Sequence, residues 1–144
     1  MRVQVVGTAQ SGVKIDCSSR IAVVIDVLRA TSVMTTALDN GARSVLPVTT
    51  IEEAETVFKT SDPACTLKGG ERHALKIDGF DFGNSPLEYK RPLVAGKDII
   101  ITTTNGTNAI RNVQKAEMMV LACLRNASAV VGFLIGKNKD VVIV

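Results

Sequence analysis

The chain has 144 residues, with 17 Lys and Arg against 14 Asp and Glu for a formal net charge of +3, and its aromatic residues are four Phe and one Tyr. A sequence that is 46% hydrophobic and 22% charged folds rather than remaining disordered, and its length is that of one ordinary domain with a core of its own. Few ring faces and no long basic run argue against a nucleic-acid binder, and apolar stretches that end at 118–124 and 129–135 fall far short of the roughly 18 residues of a membrane span.

In chain order, the first apolar run, Arg2 to Val6, reads as a strand, and it has no secretory h-region, which sets the expectation of a cytoplasmic protein. Ile21 to Ile25 is a second strand, followed by a helix over Thr31 to Asn40 that stops at Gly41, a residue suited to the position after a helix end. Ser44 to Val48 is a third strand. Thr50 stands three residues before Glu53, a capping box that opens a helix over Ile51 to Lys59. Cys65 to Leu67 is a short strand. Strand and helix periodicity then fail from Gly69 to Gly96, a long irregular stretch of the kind that carries function in compact domains. Within it, Ser85-Pro86-Leu87-Glu88 has the pattern of a short helix start, and Phe80 and Phe82 read as anchors that pin the loop.

Asp98 to Thr102 and Met119 to Leu124 are further strands, each leading into a helix, one near Gly106 and one over Ala127 to Ile135 with Asn126 as its N-cap and an end near Gly136. Val141 to Val144 is the last strand. Several of these runs are apolar on both faces, which suits parallel strands covered by helices on either side. The expected class is α/β, a three-layer α/β/α arrangement around a largely parallel sheet. Residues 1–144 are expected to form a single domain, and an open sheet ending on an apolar strand calls for cover by another chain, as in a homo-oligomer, or by further residues.

Ligands of open α/β sheets bind at the carboxyl ends of the strands, so the residues there form one candidate set. After the second strand come Asp26, Arg29 and Thr31; after the fourth, Gly69-Gly70-Glu71-Arg72; after the fifth, Thr103-Thr104-Asn105-Gly106-Thr107; after the sixth, Arg125 and Asn126. A carboxylate at the mouth of a buried strand suits a metal ion or a covalent phosphoryl intermediate, against the plainer role of a helix cap. The threonine-rich run between strand and helix offers hydroxyls and free amides to an anion, though a single Thr there is more often only a cap. Arg29 and Arg72 are able to clamp an oxyanion, or to be solvated surface charges.

Gly7 to Lys14 spaces two glycines like a P-loop, but its Lys is displaced by one and no Ser or Thr follows. Cys17, Cys65 and Cys123 form no Cys-x-x-Cys pair, so neither zinc nor a disulfide framework is expected. The single His73 removes multi-histidine metal sites and reads as a solvated loop residue.

Four motifs in order, Val24-Ile25-Asp26-Val27-Leu28-Arg29-Ala30-Thr31, Gly69-Gly70-Glu71-Arg72, Gly79-Phe80-Asp81-Phe82-Gly83-Asn84-Ser85-Pro86 and Thr102-Thr103-Thr104-Asn105-Gly106-Thr107, resemble the 2-phosphosulfolactate phosphatase (ComB) family. The resemblance covers the chain from about Ala22 to Val144 and implies that residues 1–144 are the N-terminal portion of a longer family member. It implies a magnesium-dependent phosphatase that converts 2-phospho-3-sulfolactate to 3-sulfolactate in coenzyme M biosynthesis, on a three-layer α/β/α fold. On that resemblance Asp26 and Glu71 are the Mg2+ carboxylates, and Arg29 and Arg72 the anion clamps. Asn84, Thr103, Thr104, Asn105 and Thr107 become phosphate or sulfonate contacts, with Thr31, Ser85, Gly106 and Asn126 also on the substrate side. The expected partner is a small anionic phosphorylated substrate, with no nucleic acid and no membrane. Whether Asp26 attacks phosphorus or holds the metal stays open, and the alternative is a noncatalytic anion-binding or assembly module that retains the pocket.

Overall fold

The structure is a computed structural model and describes residues 1–7 and 15–144. The P-loop-like spacing at Gly7 to Lys14 therefore lies almost wholly outside the described residues. In chain order these form β1 (Val3–Val5), β2 (Ile21–Ile25), α1 (Ala30–Asp39), β3 (Ser44–Pro47), α2 (Ile51–Thr60), β4 (Thr66–Arg72) and β5 (Leu75–Lys76). A 3-10 turn (Pro86–Glu88), α3 (Arg91–Val94), β6 (Asp98–Thr102), α4 (Gly106–Asn112), β7 (Met118–Ala122), α5 (Ala127–Lys137) and β8 (Val141–Ile143) follow.

The α/β class is as expected, but the strands divide into two sheets among the described residues. One is all parallel in the order β1-β8-β2-β7; the other runs β3-β6-β4-β5, parallel except for the antiparallel pair β4-β5. Side-chain alternation along the strands explains how both are covered. Ala22, Val24 and Val142 of the first sheet and Ile99 and Ile101 of the second all pack into one cluster with Ala30, Val33, Met34 and Ala37 of α1 and Ala109 and Ile110 of α4. The outer faces are separate: Ile21, Val23 and Val141 meet Val130 of α5, while Val48 and Ile100 meet Ala54 of α2. Each sheet thus has helices on both faces, and α1 and α4 are the layer the two sheets share.

The capping box forms at its first bond, with Thr50 Oγ1 accepting from Glu53 N at 3.0 Å; the Glu53 carboxylate reaches back to Thr49 N at 2.8 Å. Helix α5 runs past Gly136 to Lys137 and ends on Asn138 in a left-handed conformation, φ 48°. Asn126 does not cap it through its side chain: its Oδ1 accepts from Cys123 N at 2.8 Å and its Nδ2 donates to Leu121 O at 3.0 Å.

The largest departure from expectation is β4, which continues through Gly69-Gly70-Glu71-Arg72 where a loop was expected. Gly70 makes this possible: its φ is +143°, and a Cβ there would stand 2.0 Å from Thr102 O on the adjoining strand. Beyond that point β4 pairs with β5 through a two-residue turn, His73-Ala74, with φ of 53° and 64°. The rest of the stretch to Gly96 is tied down by burial of Ile77, Phe80 and Tyr89, and Phe82 lies against the Tyr89 ring at 4.9 Å. Among the described residues no helix is long and apolar enough to cross a membrane.

A turn with two left-handed residues favours Asn-Gly, and an L side chain there costs roughly 1–2 kcal/mol. Ala74→Gly should therefore stabilise the protein by about 1 kcal/mol, read as a higher urea midpoint with unchanged slope.

Candidate active site

The carboxyl ends of β2, β4 and β6 bring residues from both sheets to one cleft of about 280 Å³, lined by Asp26, Leu28, Arg29, Glu71, His73, Ala74, Asn84, Thr103, Thr104 and Asn105. Asp26 is the first residue beyond β2, and Thr31 holds it there. The Thr31 hydroxyl lies 2.8 Å from the carbonyl oxygens of both Asp26 and Ala122 and accepts from Asp26 N at 3.0 Å. Thr31 is 0% exposed, so its hydroxyl binds the exit of β2 to β7 rather than facing the cleft. Gly106 sets the other side of Asp26: a Cβ on it would stand 2.3 Å from Ala30 Cβ and 2.7 Å from Asp26 Oδ2. The glycine lets α4 start against the carboxylate itself.

Glu71 is buried, and each of its carboxylate oxygens accepts from one backbone N–H. Thr104 N donates to Oε1 at 2.7 Å and Ala74 N to Oε2 at 2.9 Å. Burial pushes this carboxyl up, but those N–H groups, with the Thr104 hydroxyl and Arg72, outweigh it and hold Glu71 below the usual carboxylate range. Asp26 is shifted the opposite way. Burial raises it and the like charge of Glu71 adds to that, against the Ala30 N–H and Arg29, which lower it.

The cleft thus holds one carboxylate whose charged form is favoured and a second whose charged form is disfavoured, a pairing found where acid–base or metal chemistry takes place. Asn84 completes it: the residue is buried, and its Oδ1 has no hydrogen-bond partner among the described residues.

Of the other expected site residues, Thr103, Thr104, Asn105 and Arg29 line the cleft, and Arg72 does not. Successive residues of a strand face opposite ways, so with Glu71 turned in, Arg72 turns out. It donates to Glu71 O at 2.7 Å, Thr102 Oγ1 at 2.8 Å and Thr49 O at 3.1 Å. Thr107 is buried with its hydroxyl on Thr103 O at 2.8 Å, and it faces a second hollow of about 390 Å³ beside Thr49, Glu53 and Arg111. Ser85 and Asn126 are not among the lining residues, and Arg125 pairs with Asp39 at 3.3 Å. His73, expected as a solvated loop residue, is exposed in the β4-β5 turn, and that turn also brings it to the cleft.

Fold and cleft together define an α/β protein with a polar cleft at the carboxyl ends of its parallel strands. The chain belongs to the 2-phosphosulpholactate phosphatase family, whose model matches residues 8–144. It is 54% identical over 129 residues to a probable 2-phosphosulfolactate phosphatase of Caldanaerobacter subterraneus subsp. tengcongensis, covering 90% of this chain and 54% of that protein. A protein of Clostridium perfringens with the same description is 54% identical over 127 residues, 87% of this chain and 51% of the relative. One from Clostridium beijerinckii is 44% identical over 144 residues, 100% of this chain and 60% of the relative. The chain spans between half and three-fifths of the length of these relatives.

The two carboxylates should respond oppositely to neutralisation. A raised Asp26 pKa means that stability is lost as pH rises out of the ordinary carboxylate range, so Asp26→Asn should raise the thermal midpoint at pH 7 and lose that gain in acid. The lowered Glu71 contributes stability that is present at neutral pH and lost as pH falls through its folded pKa. Glu71→Gln sets an amide N–H₂ against a buried N–H and should cost about 1–3 kcal/mol at pH 7. Thermal unfolding of both variants across pH checks the two signs.

Proposed function

We propose that this chain forms the substrate cleft of a magnesium-dependent phosphatase that hydrolyses 2-phospho-3-sulfolactate, or a similarly small phosphorylated acid, to the free hydroxy acid and phosphate. The observation that carries the reading is the convergence of Asp26, Glu71, Arg29 and the Thr103–Asn105 turn on one cleft, in a chain whose relatives bear that description. Magnesium fits the donor set. Among the described residues no group of three or more His, Cys, Asp or Glu forms a metal cage, but Mg2+ is usually held by one or two carboxylates with waters and substrate phosphate. Burial and, after it, the like charge of Glu71 disfavour the charged form of Asp26, and a cation in the shared cleft would offset both.

On this reading Asp26 and Glu71 would hold the ion, and magnesium when bound supplies neutralisation of the phosphoryl charge. Hydrolysis adds water to phosphorus, breaks the bond to the ester oxygen and delivers a proton to that oxygen. The guanidinium of Arg29 is a fork for non-bridging oxygens. Thr103, Thr104 and Asn105 present hydroxyls and amide groups that orient the phosphate, and positioning with charge compensation is most of what phosphoryl transfer requires. Asp26 is either the group that attacks phosphorus or a metal ligand.

The same reading places the reaction in coenzyme M biosynthesis and the protein in the cytoplasm. Self-association is part of it as well, supported by the outer strand β1, whose Val3 and Val5 are exposed.

Phosphate release from 2-phospho-3-sulfolactate is the test. The protein should turn the ester over with magnesium, stop on addition of a chelator, and lose about 100-fold or more in rate as Asp26→Asn while remaining folded. Binding of the ester without release would instead identify a noncatalytic anion-binding module.

A further inference from the structure

The residues that follow the cleft loop in sequence grip it from behind. Gly83 is held at both of its backbone polar groups: its N–H donates to Glu88 Oε2 at 2.7 Å, and its carbonyl accepts from the Tyr89 hydroxyl at 2.8 Å. Tyr89 is itself immobilised. It is 0% exposed, its ring lies against Phe82, and its carbonyl accepts from Asn40 Nδ2, at the end of α1, at 2.7 Å. The chain leaves room for it, since a Cβ on Gly69 would stand 2.0 Å from the Tyr89 hydroxyl. Burial, with the Glu88 and Asp81 carboxylates nearby, pushes the phenol well above its ordinary range, so the hydroxyl remains a donor at working pH.

The residue after Gly83 is Asn84, 8% exposed, at the cleft, with a buried side-chain oxygen lacking any partner among the described residues. A native protein rarely leaves such an acceptor unpaired unless a donor, the hydroxyl of a ligand or a bound water, completes it. A free amide at a ligand surface keeps one orientation only if its backbone is fixed, and both backbone polar groups of the preceding residue are fixed here.

We propose that Glu88 and Tyr89 are positioning residues that clamp Gly83 and thereby present the Asn84 side-chain oxygen, an acceptor, to a protonated oxygen of the phosphate held in the cleft, directly or through a bound water. The inference rests on the reading of that cleft as the phosphate site, and it extends that site to two side chains outside the lining. Neither touches the ligand; each acts through Asn84.

Tyr89→Phe removes the hydroxyl and keeps the ring and the Asn40 bond. With inorganic phosphate as the probe, calorimetry in the presence of magnesium should give a dissociation constant about five- to tenfold higher than for the unaltered protein. In an Asn84→Ala background the same change should add nothing, because two residues acting through one amide are not additive. A full further loss in that background, or unchanged affinity in folded Tyr89→Phe, overturns the clamp. Glu88→Ala should weaken phosphate binding, and Glu88→Gln, which keeps an acceptor for Gly83 N–H, should restore it; equal loss in both overturns the part given to Glu88. If the unaltered protein binds no phosphate, the reading of the cleft fails. A crystal structure of Tyr89→Phe then decides the clamp alone: a displaced Asn84 sustains it, and an unmoved one ends it.

Discussion

The Glu71 carboxylate is the constraint on which the candidate site depends. One oxygen takes the N–H of Thr104, at the end of β6, and the other takes the N–H of Ala74, in the turn beyond β4. Without that bridge the threonine-rich turn and the β4-β5 hairpin would be two loops free to move independently. With it, they are one wall of a cleft. The bridge also accounts for the strained turn: a hydrogen bond from Ala74 N to a charged carboxylate offsets part of the cost of holding His73 and Ala74 in left-handed conformations. The opposing wall has its own lock in Thr31, whose buried hydroxyl joins the Asp26 carbonyl to that of Ala122. Two residues that look equally suited to ligand contact in the sequence therefore serve different ends. Glu71 is both lining and brace, and Thr31 is brace alone.

Much of the fold was legible because local chemistry and global packing agree along most of the chain. The runs Ile21 to Ile25 and Asp98 to Thr102 are apolar on both faces, and each forms a strand over those same residues, with one face toward the shared helices and the other toward an outer helix. What could not be read was the partition into two sheets. Periodicity reports that a strand is covered on both sides and carries no information on which strand lies beside it. Gly69 to Arg72 failed for a related reason. Two glycines followed by two charges have poor strand propensity, and only the neighbouring Thr102 carbonyl and the Tyr89 ring show why glycine is needed there.

The candidate site was legible in its carboxylates and in its turn, because position at a strand end is a strong signal in this class of fold. It was less so for arginine. Arg72 follows Glu71, and the alternation of a strand turns one in and the other out, a consequence that appears only once the segment is known to be extended. Its guanidinium joins Thr49, Thr102 and the Glu71 carbonyl, and so serves the framework under the cleft. His73 stands exposed in a turn, as expected of it. Its place at the cleft follows from the turn geometry, which a histidine and an alanine do not advertise.

Helix α1 has a different relation to its surroundings from that of α2 or α5. It touches β7 of one sheet and β3 of the other, and six of its residues, Ala30, Thr31, Val33, Met34, Thr36 and Ala37, are buried, against Ala54 alone in α2 and Val130 alone in α5. A helix packed on one side relaxes a change of side-chain volume by shifting outward; one held between two sheets has nowhere to go. Its first turn follows directly from the Asp26 loop, and Asn40 at its far end bonds to Tyr89. Mutational robustness in this molecule is therefore unevenly distributed. The outer helices are free to drift in composition, while α1 is where a single methylene gained or lost would be felt at both ends of the cleft.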